Sequence, residues 1–203
     1  MEGPPAPFAG RLPRLAPESY RGYAFVHWTM TIDHRARGWL DPLHHARLRE
    51  LLCHALSHHE LVCAVYCLMP DHGHFLLCGT SPASDQRLAV RAFRQSWNRL
   101  LAPDRQLQTQ AYDHVLREAE RAHGAFQAIA QYILENPVRA TLAANWWSWP
   151  HSGAMVPGYP ELDPIMEGYW EHFWRVWNHL VAKSTKPDVL ANVATPEDPA
   201  PPS

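Results

Sequence analysis

Long apolar runs are missing from this sequence. No stretch approaches the roughly 18 residues that a membrane helix needs, so no membrane association is expected. The charged-then-apolar opening of a secretory leader is missing as well, and no signal peptide is expected. Cysteine is sparse. Cys53, Cys63, Cys67 and Cys78 form no CxxC pair, and the spacing usual for a structural zinc site is absent. Cys63 and Cys67 lie in an apolar run, where free thiols pack as small hydrophobes. The expected setting is reducing and cytoplasmic. An excess of either charge is also lacking. Eighteen basic and 20 acidic residues give a net charge of −2, which argues against indiscriminate polyanion binding. A local basic face remains open: from Arg87 to Arg105 there are five arginines and one aspartate, a local +4.

Proline, by contrast, is plentiful and uneven. Many of the 19 prolines crowd the first 19 residues and the last twenty or so. Segments of that kind bury little apolar surface, so residues 1–19 and 182–203 are expected to be disordered. The 203-residue length suits one domain, placed at 20–181.

Within the domain, YAFVHWTMTI (23–32) is rich in aromatic and β-branched residues and reads as a strand. Asp41-Pro42 then opens a helix striped with Leu43, Leu48, Leu51, Leu52 and Leu56. ELVCAVYCLM (60–69) and HFLLCG read as two more strands, joined as an antiparallel hairpin by the turn at Pro70-Asp71. A helix from about Ser84 to Leu101 places Phe93, Trp97, Leu100 and Leu101 on one side and Arg87, Arg91, Arg94 and Asn98 in a separate stripe. AYDHVLRE suggests a short strand. HGAFQAIAQYILE (123–135) reads as a helix, NPVRATLAAN as another starting at Pro137, and 164–181 as a last helix with Trp170, Trp174 and Trp177 on one face. The interleaving predicts an α+β fold, an antiparallel sheet with helices packed on it.

The chemistry concentrates in two places. In LMPDHGHFLL, His72 and His74 are two apart on a strand and so share a face, where their ring nitrogens can converge on one cation. With 14 histidines in the chain, two such rings are by spacing alone as easily surface residues beside a turn. Gly73 between them leaves a space beneath the strand, which one of the nine tryptophans is expected to fill. In QYILENPVRA, Tyr132 falls at the edge of a buried helix face, with small neighbours one and two turns back. Asn136 follows one turn later on the same side. A core-edge tyrosine and a helix-capping Asn-Pro are the ordinary alternatives.

Taken together, MPDHGH, QYILENPVRA and, more weakly, AYDHVLRE and WSWPHSG resemble the HUH single-tyrosine transposases, specifically the REP-associated tyrosine transposases. The resemblance spans about residues 23–152. It implies a ferredoxin-like HUH fold and a tyrosine nucleophile, here Tyr132. That residue would attack a phosphodiester of single-stranded DNA, form a 5′-phosphotyrosine link and free a 3′-hydroxyl. It further implies Mg²⁺ or Mn²⁺ held by His72, His74 and Asn136, and a single-stranded hairpin as substrate. Arg87, Arg91 and Arg94 are the expected phosphate contacts, and Arg139 matches a basic position of the family. Trp146, Trp147 and Trp149 are candidate stacking platforms, although such residues are more often core. A non-catalytic nucleic-acid-binding relative and a metal-dependent hydrolase that uses the His pair without Tyr132 are the alternatives. Monomer and homodimer both stay open.

Overall fold

The computed structural model describes residues 14–116 and 125–185. Strand β1 (Phe25–Thr31) leads to helix α1 (Pro42–His58), the hairpin strands β2 (Leu61–Met69) and β3 (His72–Gly79), helix α2 (Gln86–Leu101) and strand β4 (Tyr112–Val115). There follow α3 (Ala125–Leu134), the single turn α4 (Asn136–Arg139), β5 (Ser152–Met155) and α5 (Tyr169–Ser184). Among the described residues no helix is long and apolar enough to cross a membrane.

All strand pairs are antiparallel, in the order β4-β1-β3-β2-β5. The first four strands with α1 and α2 make the expected ferredoxin-like unit, and β5 extends the sheet beyond β2. Both sheet faces are covered, which is why β2 is buried at all nine positions and reads as one apolar run. On one face α1 and α2 bring Leu52, Leu56, Phe93 and Trp97 against Trp28, Met30, Phe75 and Leu77. On the other, α3 and α5 bring Phe126, Ile133, Phe173 and Val176 against Phe25, Leu76 and Cys78. Trp170, Trp174 and Trp177 pack against this second core, with Trp174 4.9 Å and Trp170 5.8 Å from the Phe126 ring.

Several element boundaries differ from the sequence reading. Helix α2 starts at Gln86 because the Asp85 side chain accepts from the backbone N–H groups of Arg87 and Leu88. Helix α3 is described from Ala125, and residues 123–124 lie outside the described chain. The helix expected from Pro137 is one turn only. Thr141 adopts the left-handed φ of 55°, and Leu142 N–H reaches Pro137 O while Thr141 N–H reaches Val138 O, a Schellman closure. The last helix begins at Tyr169, because Gly168 before it has a φ of 70°. At the N-terminal end, Pro17–Tyr20 forms a 3₁₀ turn, and Arg14 pairs with Asp113 at 3.3 Å. Residues 1–13 and 186–203, most of the two proline-rich segments, lie outside the described residues.

Gly73 is covered by neighbours other than those expected. A Cβ there would lie 3.0 Å from the Phe75 ring and 3.1 Å from Leu68, so the atoms nearest the space beneath the strand belong to these two residues rather than to a tryptophan.

Candidate active site

The hairpin turn places Met69 opposite His72, and β1 runs along the other side of β3 with Thr31 opposite His72 and Thr29 opposite His74. Alternation along β3 then sends His72 and His74 to the face covered by α3, and alternation along β1 sends His27 and Thr29 there too. Helix α3 crosses that face, and near its end Tyr132 emerges, half exposed at 50%. Its ring centroid is 6.4 Å from that of His74 and 6.4 Å from that of His27. The structure therefore brings together the two sequence blocks that sixty residues separate.

Each imidazole has a fixed orientation. His72 Nδ1 lies 2.7 Å from Asp71 Oδ1, which makes Nδ1 the protonated nitrogen and leaves a lone pair on Nε2. Asp71 is held in turn by Arg35 at 3.1 Å. Burial pushes its carboxyl up, but the hydrogen bonds from His72 and Arg35 outweigh this and hold it below the usual carboxylate range. His74 Nδ1 meets Thr29 Oγ1 at 3.0 Å and His27 Nε2 at 3.1 Å. Its Nε2 faces His72 Nε2 at 3.1 Å. Burial, reinforced by His27, His72 and Arg139 and opposed by a hydrogen bond with Asn136, lowers the His74 pKa to about 2. Burial and the neighbouring His114 lower that of His27 to about 4. Both rings are neutral at physiological pH.

This arrangement bears on whether a cation fits. Two nitrogens about 2.1 Å from one metal, at a right or tetrahedral angle, lie about 3.0 to 3.4 Å apart. The Nε2 pair has that separation: without a cation one nitrogen can donate to the other, and with both rings presenting lone pairs the gap matches two ligands of one ion. Asn136 donates its Nδ2 to the carbonyls of Tyr132 at 3.0 Å and Ile133 at 3.1 Å, so its Oδ1 is the atom left for His74. Its side chain thus satisfies carbonyls at the end of α3, and it does not cap the helix that follows, as the Asn-Pro alternative would require, since Glu135 stands at that position. Among the described residues no group of three His, Cys, Asp or Glu side chains is arranged to hold a metal, and a cation between the two Nε2 atoms would have two imidazoles and an amide oxygen as its donors.

Arg139 folds back over Tyr132. Its guanidinium carbon is 4.0 Å from the ring centroid, and Nη2 donates to the Tyr132 carbonyl at 2.7 Å. The small residues around the phenol do not leave its ring open on that side. Arg87, Arg91 and Arg94 are elsewhere. They line a groove of about 1050 Å³ with Arg14, Arg21 and Asp85, on the outer side of α2. Since α2 packs on the opposite face of the sheet, the structure does not bring this stripe to the Tyr132 site.

The sequence reading missed His27, Thr29 and Asp71. Asp71 looked like a turn residue. His27 looked like any polar residue in a strand, and only the β1–β3 register reveals that it lies diagonally across from His74.

No family model and no curated protein matches the chain. Among solved structures, a REP-associated tyrosine transposase bound to a REP hairpin is similar, with a TM-score of 0.59 at 17% identity, over 70% of this chain and 81% of that one. A candidate transposase from Deinococcus radiodurans R1 aligns at 18% identity over 61% of this chain and 95% of that one, with a TM-score of 0.41. The chain has the fold of the first of these, an antiparallel α+β sheet carrying helices on its faces.

Proposed function

We propose that this chain cleaves and rejoins single-stranded DNA through Tyr132. The observation that carries the reading is the convergence of Tyr132, His72, His74 and Asn136 on one sheet face, with the two Nε2 atoms 3.1 Å apart. The similar fold of a transposase bound to a REP hairpin supports a hairpin-bearing single strand as the substrate.

In the proposed step the Tyr132 oxygen bonds to the scissile phosphorus and the P–O3′ bond breaks. The phenol proton is balanced by the one the departing 3′-oxygen takes up. The 5′-phosphate stays on Tyr132, and reversal by a 3′-hydroxyl rejoins the strand without an external energy source. Mg²⁺ or Mn²⁺ held by His72 Nε2, His74 Nε2 and Asn136 Oδ1 would polarise the scissile phosphoryl group. Asp71 and Thr29 hold the two imidazoles, and Arg139 keeps the phenol ring to one side. The Arg87–Arg91–Arg94 groove would contact backbone phosphates away from the scissile one.

End-labelled single-stranded hairpin DNA, incubated with Mn²⁺ or with chelator, tests this. Cleavage is expected with Mn²⁺ only and is expected to fall by 100-fold or more in a folded His74→Ala variant. Absence of cleavage over a panel of hairpins that the wild type binds would leave a non-catalytic DNA-binding protein. Cleavage that survives Tyr132→Phe would instead favour a hydrolase that uses the His pair.

A further inference from the structure

The turn Trp146–Ser148 packs beside α4, the turn that carries Asn136 and Arg139. Between it and the 163–165 segment is a notch of about 200 Å³, lined by Trp146, Trp147, Trp149, Leu134, Asp163 and Ile165. We propose that this notch receives one unstacked nucleobase of the DNA strand that passes Tyr132, and that it favours bases carrying an amino group. The inference deepens the DNA-cleaving reading above and rests on it for the identity of the strand.

Shape and rigidity point to a base. The Trp146 and Trp147 rings stand at 85° with centroids 5.8 Å apart, so they brace each other edge to face and leave the exposed side of Trp147 for a flat guest. Trp147 is 61% exposed, an unusual position for so large an apolar ring. The turn is pinned rather than loose. Asn145 Oδ1 accepts from Ser148 N–H at 3.1 Å, Trp149 N–H reaches Trp146 O at 3.2 Å, and Trp149 Nε1 donates to Leu68 O at 2.9 Å. Leu68 is the β2 residue before Met69, the cross-strand partner of His72, so the notch and the histidines share one framework. The space holds one base and not a base pair, which suits a single strand.

Asp163 sets the preference. Its Oδ1 accepts from Ile165 N–H at 3.1 Å, which fixes the carboxylate at the notch wall. A carboxylate accepts hydrogen bonds and donates none. Cytosine, adenine and guanine present amino donors to it. Thymine presents one imide N–H flanked by two carbonyl oxygens that the carboxylate repels.

The test reads binding without cleavage, so that its failure and that of the tyrosine mechanism are separable. Fluorescein-labelled dC₁₂ and dT₁₂ are titrated with full-length protein in chelator, followed by anisotropy and tryptophan quenching. Wild type is expected to bind dC₁₂ about tenfold more tightly than dT₁₂. Trp147→Ala is expected to weaken both about tenfold, the usual scale for one stacked base, and Asp163→Asn to remove the preference alone. Equal wild-type affinities, or an unchanged affinity in Trp147→Ala, would overturn the proposal whatever Tyr132 does. A Trp147→Ala variant that changes sedimentation while leaving DNA binding intact would assign the notch to self-association instead.

Discussion

His72 is held at one nitrogen and presented at the other. The 2.7 Å bond to Asp71 sets its tautomer, and Arg35 fixes Asp71 from outside. Partners of this kind orient imidazole ligands and raise their basicity. Asp71→Asn keeps the shape and removes the charge, and about a tenfold loss of Mn²⁺ affinity is expected by calorimetric titration, with an unchanged circular dichroism spectrum. Gly73 carries a second expectation. A methyl group there would press on Phe75, whose ring already packs against Phe93 at 5.4 Å and Trp97 at 6.0 Å and has little freedom to yield. Overpacking costs about 1–3 kcal/mol, and replacing a strand glycine returns roughly 0.5–1 kcal/mol. Gly73→Ala is therefore expected to lose about 1 kcal/mol in urea unfolding. At this scale His72, His74, Tyr132 and Asn136 were legible because each belongs to a compact block. His27, Thr29 and Asp71 were not, because their roles arise from cross-strand neighbours that no local spacing displays.

Among the elements, the hairpin and the capped start of α1 follow from local signals, Pro70-Asp71 and Asp41-Pro42, while the Asp85 cap of α2 emerges only in the structure. Helix α4 escaped such reading because a threonine, where glycine is the usual signal, takes the left-handed position that ends it. The packing of α1 on β2 has a pH signature. His45 Nε2 lies 3.0 Å from the Tyr66 hydroxyl, to which Arg49 donates at 2.6 Å, and the His151 ring is 5.2 Å away. Burial, then His151 and Arg49, lower the His45 pKa from 6.5 to about 4. The unfolded chain therefore binds the extra proton between these values. The contribution to stability is complete above about pH 6.5 and is lost as pH falls towards 4. Burial of His27, with its pKa of about 4, acts with the same sign. His45→Gln removes one titrating group and keeps an acceptor for Tyr66. Its melting temperature is expected to fall less steeply than that of wild type between pH 6.5 and 4.

At the scale of the whole molecule, the sheet separates two surfaces. The Tyr132 site occupies the α3 face, and the arginine groove lies outside α2 on the other. With a net charge of −2, the chain has little general attraction for DNA, but the groove gathers Arg14, Arg21, Arg87, Arg91 and Arg94 against one aspartate. Arg91→Ala is expected to weaken single-strand binding evenly across sequences and to lower the slope of log affinity against log salt by about one. An antiparallel sheet with helices packed on it was readable from the strand and helix order, and its ferredoxin-like form from the resemblance of the motif blocks. The separation of the stripe from the tyrosine was not, since it depends on which sheet face each helix covers.

The central claim is that Tyr132 bonds covalently to DNA. The most direct measurement is mass spectrometry of peptides from protein incubated with labelled hairpin DNA and Mn²⁺, then denatured. The account expects a nucleotide-bearing peptide modified at Tyr132, absent with chelator and in Tyr132→Phe. A modification at another residue, or cleaved DNA without any adduct, would contradict it.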